Sequence, residues 1–145
     1  MQKEQIFELI NSNPVIFLAT VEDGDPRVRG MMLYKADGNG IVFHTGPHKD
    51  VYNQILAHPN VQMCFYDAQT NVQVRVRGTL EKIDDRAYKD EIASHPSRGF
   101  MQAWKAGAAS EEEFYNMFSV FRLKGGLANV WTFETNFAPK EDIAL

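Results

Sequence analysis

The stretch Phe43–Gln54, FHTGPHKDVYNQ, carries a strand-like run through His44 and Thr45, breaks at Gly46-Pro47 and resumes with His48 and Lys49. Proline suits the first position of a helix and glycine is a tolerable N-cap, so the pattern predicts a helix whose first turn holds His48 and Lys49. The unpaired N–H groups and positive dipole end of such a helix attract an anion, and the Lys49 ammonium adds a full charge beside them. Phosphate is the matching anion. The same residues also describe an ordinary turn, since every helix must satisfy its first N–H groups somehow.

Two arginine pairs are spaced for strands: Arg27 and Arg29 in PRVRGMMLYK, and Arg75 and Arg77 in NVQVRVRGTLEKI. Alternate strand residues share a face, so Val72, Val74 and Val76 point one way while Gln73, Arg75 and Arg77 point the other. The same alternation groups Arg27 and Arg29 with Met31 and Leu33. Both pairs are expected outside the core, either as a solvated face or as an anion or interface site. The histidines His44, His48, His58 and His95 form no tight pair with an acidic partner at zinc spacing. No nucleophile elbow, P-loop or dinucleotide fingerprint is present.

These residues need a scaffold, and 145 residues with 44% hydrophobic content suffice for one core, so residues 1 to 145 are expected to form one domain. Fifteen Lys and Arg against nineteen Asp and Glu give a net charge of −4, which argues against nucleic acid as partner. Cys64, the one cysteine, lies in the apolar run VQMCFY and is expected to be a small buried residue in a reducing, cytoplasmic setting. Polar residues interrupt MQKEQIFELINSNP too often for a signal peptide or membrane helix. Ten Phe and five Tyr supply more flat apolar surface than a core of this size requires, leaving some for an interface or a planar ligand.

A helix around Ile6–Ile10 precedes three strand-like runs, VIFLATV, RVRGMMLYK and IVFHT, joined by the turns EDGDP and DGNG. A helix with Val51, Ile55 and Leu56 on its apolar face ends near His58-Pro59, and the strands VQMCFYD and NVQVRVRGTLEKI follow. DDRAYKDEIASHP reads as a polar amphipathic helix, and SEEEF as a helix start with a capping box. SRGFMQAWKAGAA between them has no assigned state. NMFSVFRLK and LANVWTFET, parted by Gly125-Gly126, read as a closing hairpin before a tail. About six or seven strands and two to four helices result, which favours an antiparallel barrel or sandwich.

In this order, PRVRGMMLYK, VFHT, GPHKDVYNQI, HPNVQMCFY and VQVRVRG resemble the pyridoxamine 5′-phosphate oxidase-like family of flavin-binding split barrels, over roughly residues 12 to 83. The resemblance implies a six- to seven-stranded antiparallel split β-barrel of Greek-key type, with FMN on its outside in a cleft between two subunits of a homodimer. It assigns Arg29 and Lys49 to the phosphate, Gly30, Met31, Met32, Leu33 and Tyr34 to the ring and ribityl chain, and His44 and Thr45 to the same cleft. Gln73 is assigned to the flavin from a neighbouring strand. His48 stands in the phosphate arm where the family often has an always-charged arginine. The tail VWTFETNFAPKEDIAL lacks the family's Trp-Arg and Arg-x-His elements, so pyridoxamine phosphate is not carried over as substrate. The expected function is an FMN-dependent oxidoreductase acting on a small organic molecule. The alternatives are an electron-carrying flavin module without its own substrate, or a split barrel that binds deazaflavin or haem. His44, Tyr34 and Trp131 are the side chains able to line the cleft.

Overall fold

The computed structural model describes residues 1–145. Its strands are β1 (Val15–Glu22), β2 (Asp25–Asp37), β3 (Gly40–Thr45), β4 (Asn60–Asp67), β5 (Val72–Ile83), β6 (Ser119–Leu123), β7 (Leu127–Trp131) and β8 (Ile143–Ala144). All pairings are antiparallel, and the order β4-β1-β2-β3-β6-β5 closes into a barrel through β4 against β5. The order β4-β1-β2-β3 is a Greek key. The barrel, the early meander and the strand assignments agree with the sequence reading.

Alternation drives the closure. On β1 and β4 the odd-even pattern buries Ile16, Leu18, Val61, Met63 and Phe65 and turns Phe17, Cys64 and Tyr66 outward. Cys64 is therefore half-buried on the outer face, not a core residue, because its neighbours Met63 and Phe65 hold the inward positions. The closing hairpin is also corrected. β6 and β7 do not pair with each other; they lie end to end along one edge of β5, β6 opposite Leu80–Ile83 and β7 opposite Gln73–Arg77. Gly125, at φ +66°, and the buried Gly126 form a bulge in one long run, and a Cβ on Gly126 would meet Val76 at 2.9 Å. The length of β5 has its reason there. The tail adds β8 on the outer edge of β7.

Five helices decorate the barrel: α1 (Lys3–Ser12), α2 (Asp50–Ala57), α3 (Arg86–Ser94), α4 (Phe100–Gly107) and α5 (Glu111–Asn116). α1 buries Ile6 and Ile10, and Asn11 pins it to β2 by bonding both the C=O and the N–H of Ala36. Segment 100–107, unassigned from sequence, is helical. With α3 and α5 it encloses a second apolar cluster, in which Ile92, Met101, Phe114 and Phe118 pack on Val42 and Val120 from the outer face of β3 and β6.

α2 joins β3 to β4 and buries Val51 and Ile55 against the barrel core. Its buried Gln54 accepts from Thr20 at 2.6 Å and from Arg29, and donates to Glu22 at 3.1 Å. Arg29 also reaches Thr20 at 2.7 Å and the Leu18 carbonyl at 3.1 Å. The strand-face reading of Arg29 is thereby corrected: Arg29 pairs with Leu18 in register, so it lies on the inner face, at the barrel end that α2 covers. Arg75 and Arg77 do face outward. Gln54→Leu leaves Arg29 and Thr20 short of a shared acceptor, and is expected to lower unfolding free energy by about 1–3 kcal/mol in urea titrations. Unchanged stability would mean that this network does not hold α2 in place.

Candidate functional site

The site arises where two strands part. β2 and β3 pair from Leu33–Phe43 to Asp37–Gly40, but no strand covers the same edge of β2 before Leu33. A bulge between Leu33 and Lys35 accompanies the parting and sets Tyr34 out of register. Backbone donors and acceptors of Gly30–Met32 are left open on that side, across from the end of β3.

Between them lies a cleft of about 460 Å³, lined by Gly30, Met31 and Met32 from β2, His44 and Thr45 from β3, and Gly46, His48 and Lys49 from the following turn. Phe100 and Trp104 of α4, with Met117 and Phe118, close the far side. A larger groove of about 630 Å³ lies elsewhere, around Ala19, Gln62 and Lys124. It holds Arg77 but none of the residues that the resemblance assigns to the cofactor, so the smaller cleft is the candidate site.

Seven of the eleven residues singled out by the resemblance line this cleft: Gly30, Met31, Met32, His44, Thr45, His48 and Lys49. Arg29 is drawn to Gln54 and Thr20, and Leu33 is in the core. Tyr34 turns toward the helices, edge-on to Tyr88 and His95 at 6.4 and 5.4 Å. Gln73 is not on a neighbouring strand: β1 and β4 stand between β5 and β2. It lies about 14 Å from Met32 by strand spacing.

The helix begins later than the sequence pattern predicts. Pro47 and His48 occupy a turn closed by the Lys49 N–H on the Gly46 carbonyl at 3.1 Å, and α2 starts at Asp50 with Lys49 as its N-cap. The His48 ring covers Gly46, where a Cβ would sit 2.7 Å from Nδ1, so the glycine makes room for that ring. The N–H groups of Asp50 and Val51 have no acceptor within the chain, and Lys49 makes no ion pair. An exposed ammonium and free helix donors therefore stand at one end of the cleft.

At the inner end, the Thr45 hydroxyl is sealed from solvent without a hydrogen-bond partner, an unpaired state that proteins seldom tolerate. His44 is held by Arg98, whose Nε donates to His44 Nε2 at 2.9 Å. Burial, then the Arg98 and Lys49 charges, push the His44 pKa down to about 4, so the imidazole is neutral at physiological pH. The cleft thus offers apolar walls, the neutral imidazole of His44 and a cationic mouth. That set suits a planar ring bearing an anionic tail.

The residues missed from sequence are Arg98, Phe100, Trp104, Met117 and Phe118. Phe100 and Trp104 are four apart and touch at 5.1 Å, a helical spacing visible in SRGFMQAWKAG. That spacing does not say which surface a helix covers. Arg98 follows no pattern, since a buried arginine is recognised only by its partners.

The family model for pyridoxamine 5′-phosphate oxidase matches residues 2–125. A pyridoxine/pyridoxamine 5′-phosphate oxidase of Brucella ovis is 37% identical over 95 residues, which is 65% of this chain and 46% of that protein. The chain thus spans about half the length of the curated relatives it matches. Among solved structures, a NimC/NimA family protein of Clostridium acetobutylicum superposes with a TM-score of 0.74 at 19% identity, over 98% of this chain and 92% of its own. A pyridoxamine 5′-phosphate oxidase-related, FMN binding protein of Nostoc punctiforme gives 0.63 at 18%, over 99% and 95%. At such identities the structural likeness speaks for the fold alone, but the family match covers most of the sequence and includes every residue that lines the cleft. The chain belongs to the pyridoxamine 5′-phosphate oxidase family.

Proposed function

We propose that the protein is an FMN-binding flavoprotein and an oxidoreductase that acts on a small planar organic molecule. The observation that carries this reading is an aromatic-walled cleft whose mouth holds the unpaired Lys49 and the free N–H groups of α2. Lys49 and those N–H groups bind the phosphate. The open edge of Gly30–Met32 faces the ring system. Bound there, the flavin supplies hydride or electron transfer. Phe100 and Trp104 exclude water and leave a flat apolar surface for a second ring, which favours an enzyme over a pure electron carrier. Haem is disfavoured at His44, because ligation through Nε2 would displace Arg98.

A second copy of the chain completes the site in this reading. The outer face of β1, β2 and β4 exposes Val15, Phe17, Val28, Met32 and Tyr66, by 44% to 71%. So continuous an apolar face, unflanked by any helix of its own, suits a protein partner. Gln73 and Trp131 are register partners on that face. With its own cleft about 14 Å away, Gln73 reaches a flavin across the two-fold contact of a homodimer.

Protein purified from an expression host is expected to show flavin absorbance, with FMN released on denaturation; a deazaflavin or no chromophore would overturn the cofactor assignment. Lys49→Ala is expected to weaken FMN binding about 10- to 100-fold, the loss of one charge-assisted contact. Equal affinity in fluorescence titrations would remove Lys49 from the phosphate site. Phe17→Arg with Val28→Glu is expected to yield monomers by light scattering and to lose FMN in parallel. A monomeric parent protein with FMN bound would reject the shared site.

A further inference from the structure

Arg98 is a buried charge, 5% exposed, that the proposed flavin chemistry does not use. It ends the 3₁₀ turn Pro96–Arg98, and all of its nitrogens have acceptors. Nε donates to His44 Nε2 at 2.9 Å, one terminal nitrogen to the Leu33 carbonyl at 2.6 Å, and the other to Ser97 Oγ at 3.2 Å. Leu33 is the residue at which β2 and β3 part. Arg98 therefore binds both lips of the split, one through a backbone carbonyl and the other through an imidazole.

A guanidinium carries donors only and keeps its proton in proteins. The His44 nitrogen facing it must then be the one with the lone pair, which places the ring proton on Nδ1. Nδ1 has no partner within the chain, and it is not among the sealed, unpaired atoms, so it is open to the cleft that His44 lines. Phe118 edge-on at 5.9 Å and Phe100 at 6.3 Å hold the ring plane. The charges that act on His44 are Arg98 and Lys49, both cationic, and no carboxylate opposes them.

We infer that Arg98 is a positioning residue: it locks His44 as a neutral imidazole with Nδ1–H presented to the cleft, so that the site reads a hydrogen-bond acceptor on a planar ligand. A ring carbonyl or an unprotonated ring nitrogen satisfies that donor. A ligand with an N–H at the same point sets donor against donor and is rejected, since the cost falls on a desolvated pair. Naming a flavin as the ligand so read rests on the function proposed above, whereas the lock itself does not.

The full chain with ¹⁵N-labelled histidine tests both halves by long-range ¹H–¹⁵N spectra. His44 is expected in the Nδ1–H form and untitrated between about pH 5 and 8. Arg98→Ala is expected to bring the Nε2–H form and a titration at higher pH than in the parent, still held below the ordinary imidazole value by burial and Lys49, and Arg98→Lys to restore the first pattern. An Nε2–H tautomer or an ordinary titration in the unsubstituted chain overturns the lock, even if Arg98→Ala does not fold. Adding FMN is expected to shift the Nδ1 resonance and slow its proton exchange, and His44→Phe to weaken FMN binding about tenfold. FMN bound with Nδ1 unmoved overturns the acceptor reading and leaves the flavin function intact. Failure to bind FMN at all overturns the flavin reading and the acceptor reading with it, while the tautomer still decides the lock.

Discussion

A strand that leaves its neighbour must find other partners for its backbone, and this protein is organised around one such departure. β2 stays paired with β1 along the whole of Val15–Glu22 but with β3 only from Leu33 onward. The wall of the barrel opens there, and the open edge of Gly30–Met32 becomes the floor of a cleft rather than a surface liability. α2 is placed by the same event. Because β3 ends at Thr45 without following β2, the chain turns at Gly46–Lys49 and crosses the barrel end as a helix whose start faces the opening.

The helical segment 86–116 keeps the opening from collapsing or filling with solvent. Its second apolar cluster fixes it to the outside of β3 and β6, and from that base it sends Phe100 and Trp104 over the cleft and Arg98 into the wall. Burying a guanidinium is costly unless every donor is met. Here the acceptors are a carbonyl freed by the strand parting, a serine and an imidazole kept neutral by burial and nearby positive charge. The polarity of the cleft is set by that satisfaction. With its Nε2 engaged and its ring uncharged, His44 contributes a directed donor instead of a titrating charge.

What was legible in the sequence was what depends on local periodicity. The alternation in VIFLATV, VQMCFYD and VQVRVRG gave the strands and their inward faces, and EDGDP and DGNG gave the meander. Where one residue's placement depends on a distant partner, periodicity failed. Arg29 was assigned outward because β2 was read by itself, but its register with Leu18 and the arrival of Gln54 from α2 turn it inward. The Gly125-Gly126 pair looks like a hairpin turn until β5 is seen to be long enough to hold both flanking strands on one edge. The cleft lining from β2 and β3 was legible through the family pattern. Its aromatic wall was not, since the Phe100–Trp104 spacing fixes a helix but not the surface it covers.

The same division explains how the fold recurs in structures that share few residues with this chain. Structures at 17 to 19% identity superpose with TM-scores of 0.63 to 0.74, so the barrel tolerates replacement of most side chains as long as inward and outward positions alternate. Alternation constrains the core face strongly and the outer face hardly at all, yet this outer face is apolar over β1, β2 and β4. A solvated sheet would place polar residues there, as β5 does with Arg75 and Arg77. The departure from that rule stops where Gln73 and Trp131 begin, so the apolar face and the one polar residue of the family pattern that cannot reach its own cleft occupy adjoining ground. In the function proposed above, a barrel whose ligand site opens at its own wall beside an exposed apolar wall would tie cofactor retention to association, because each would bury surface that the other leaves exposed.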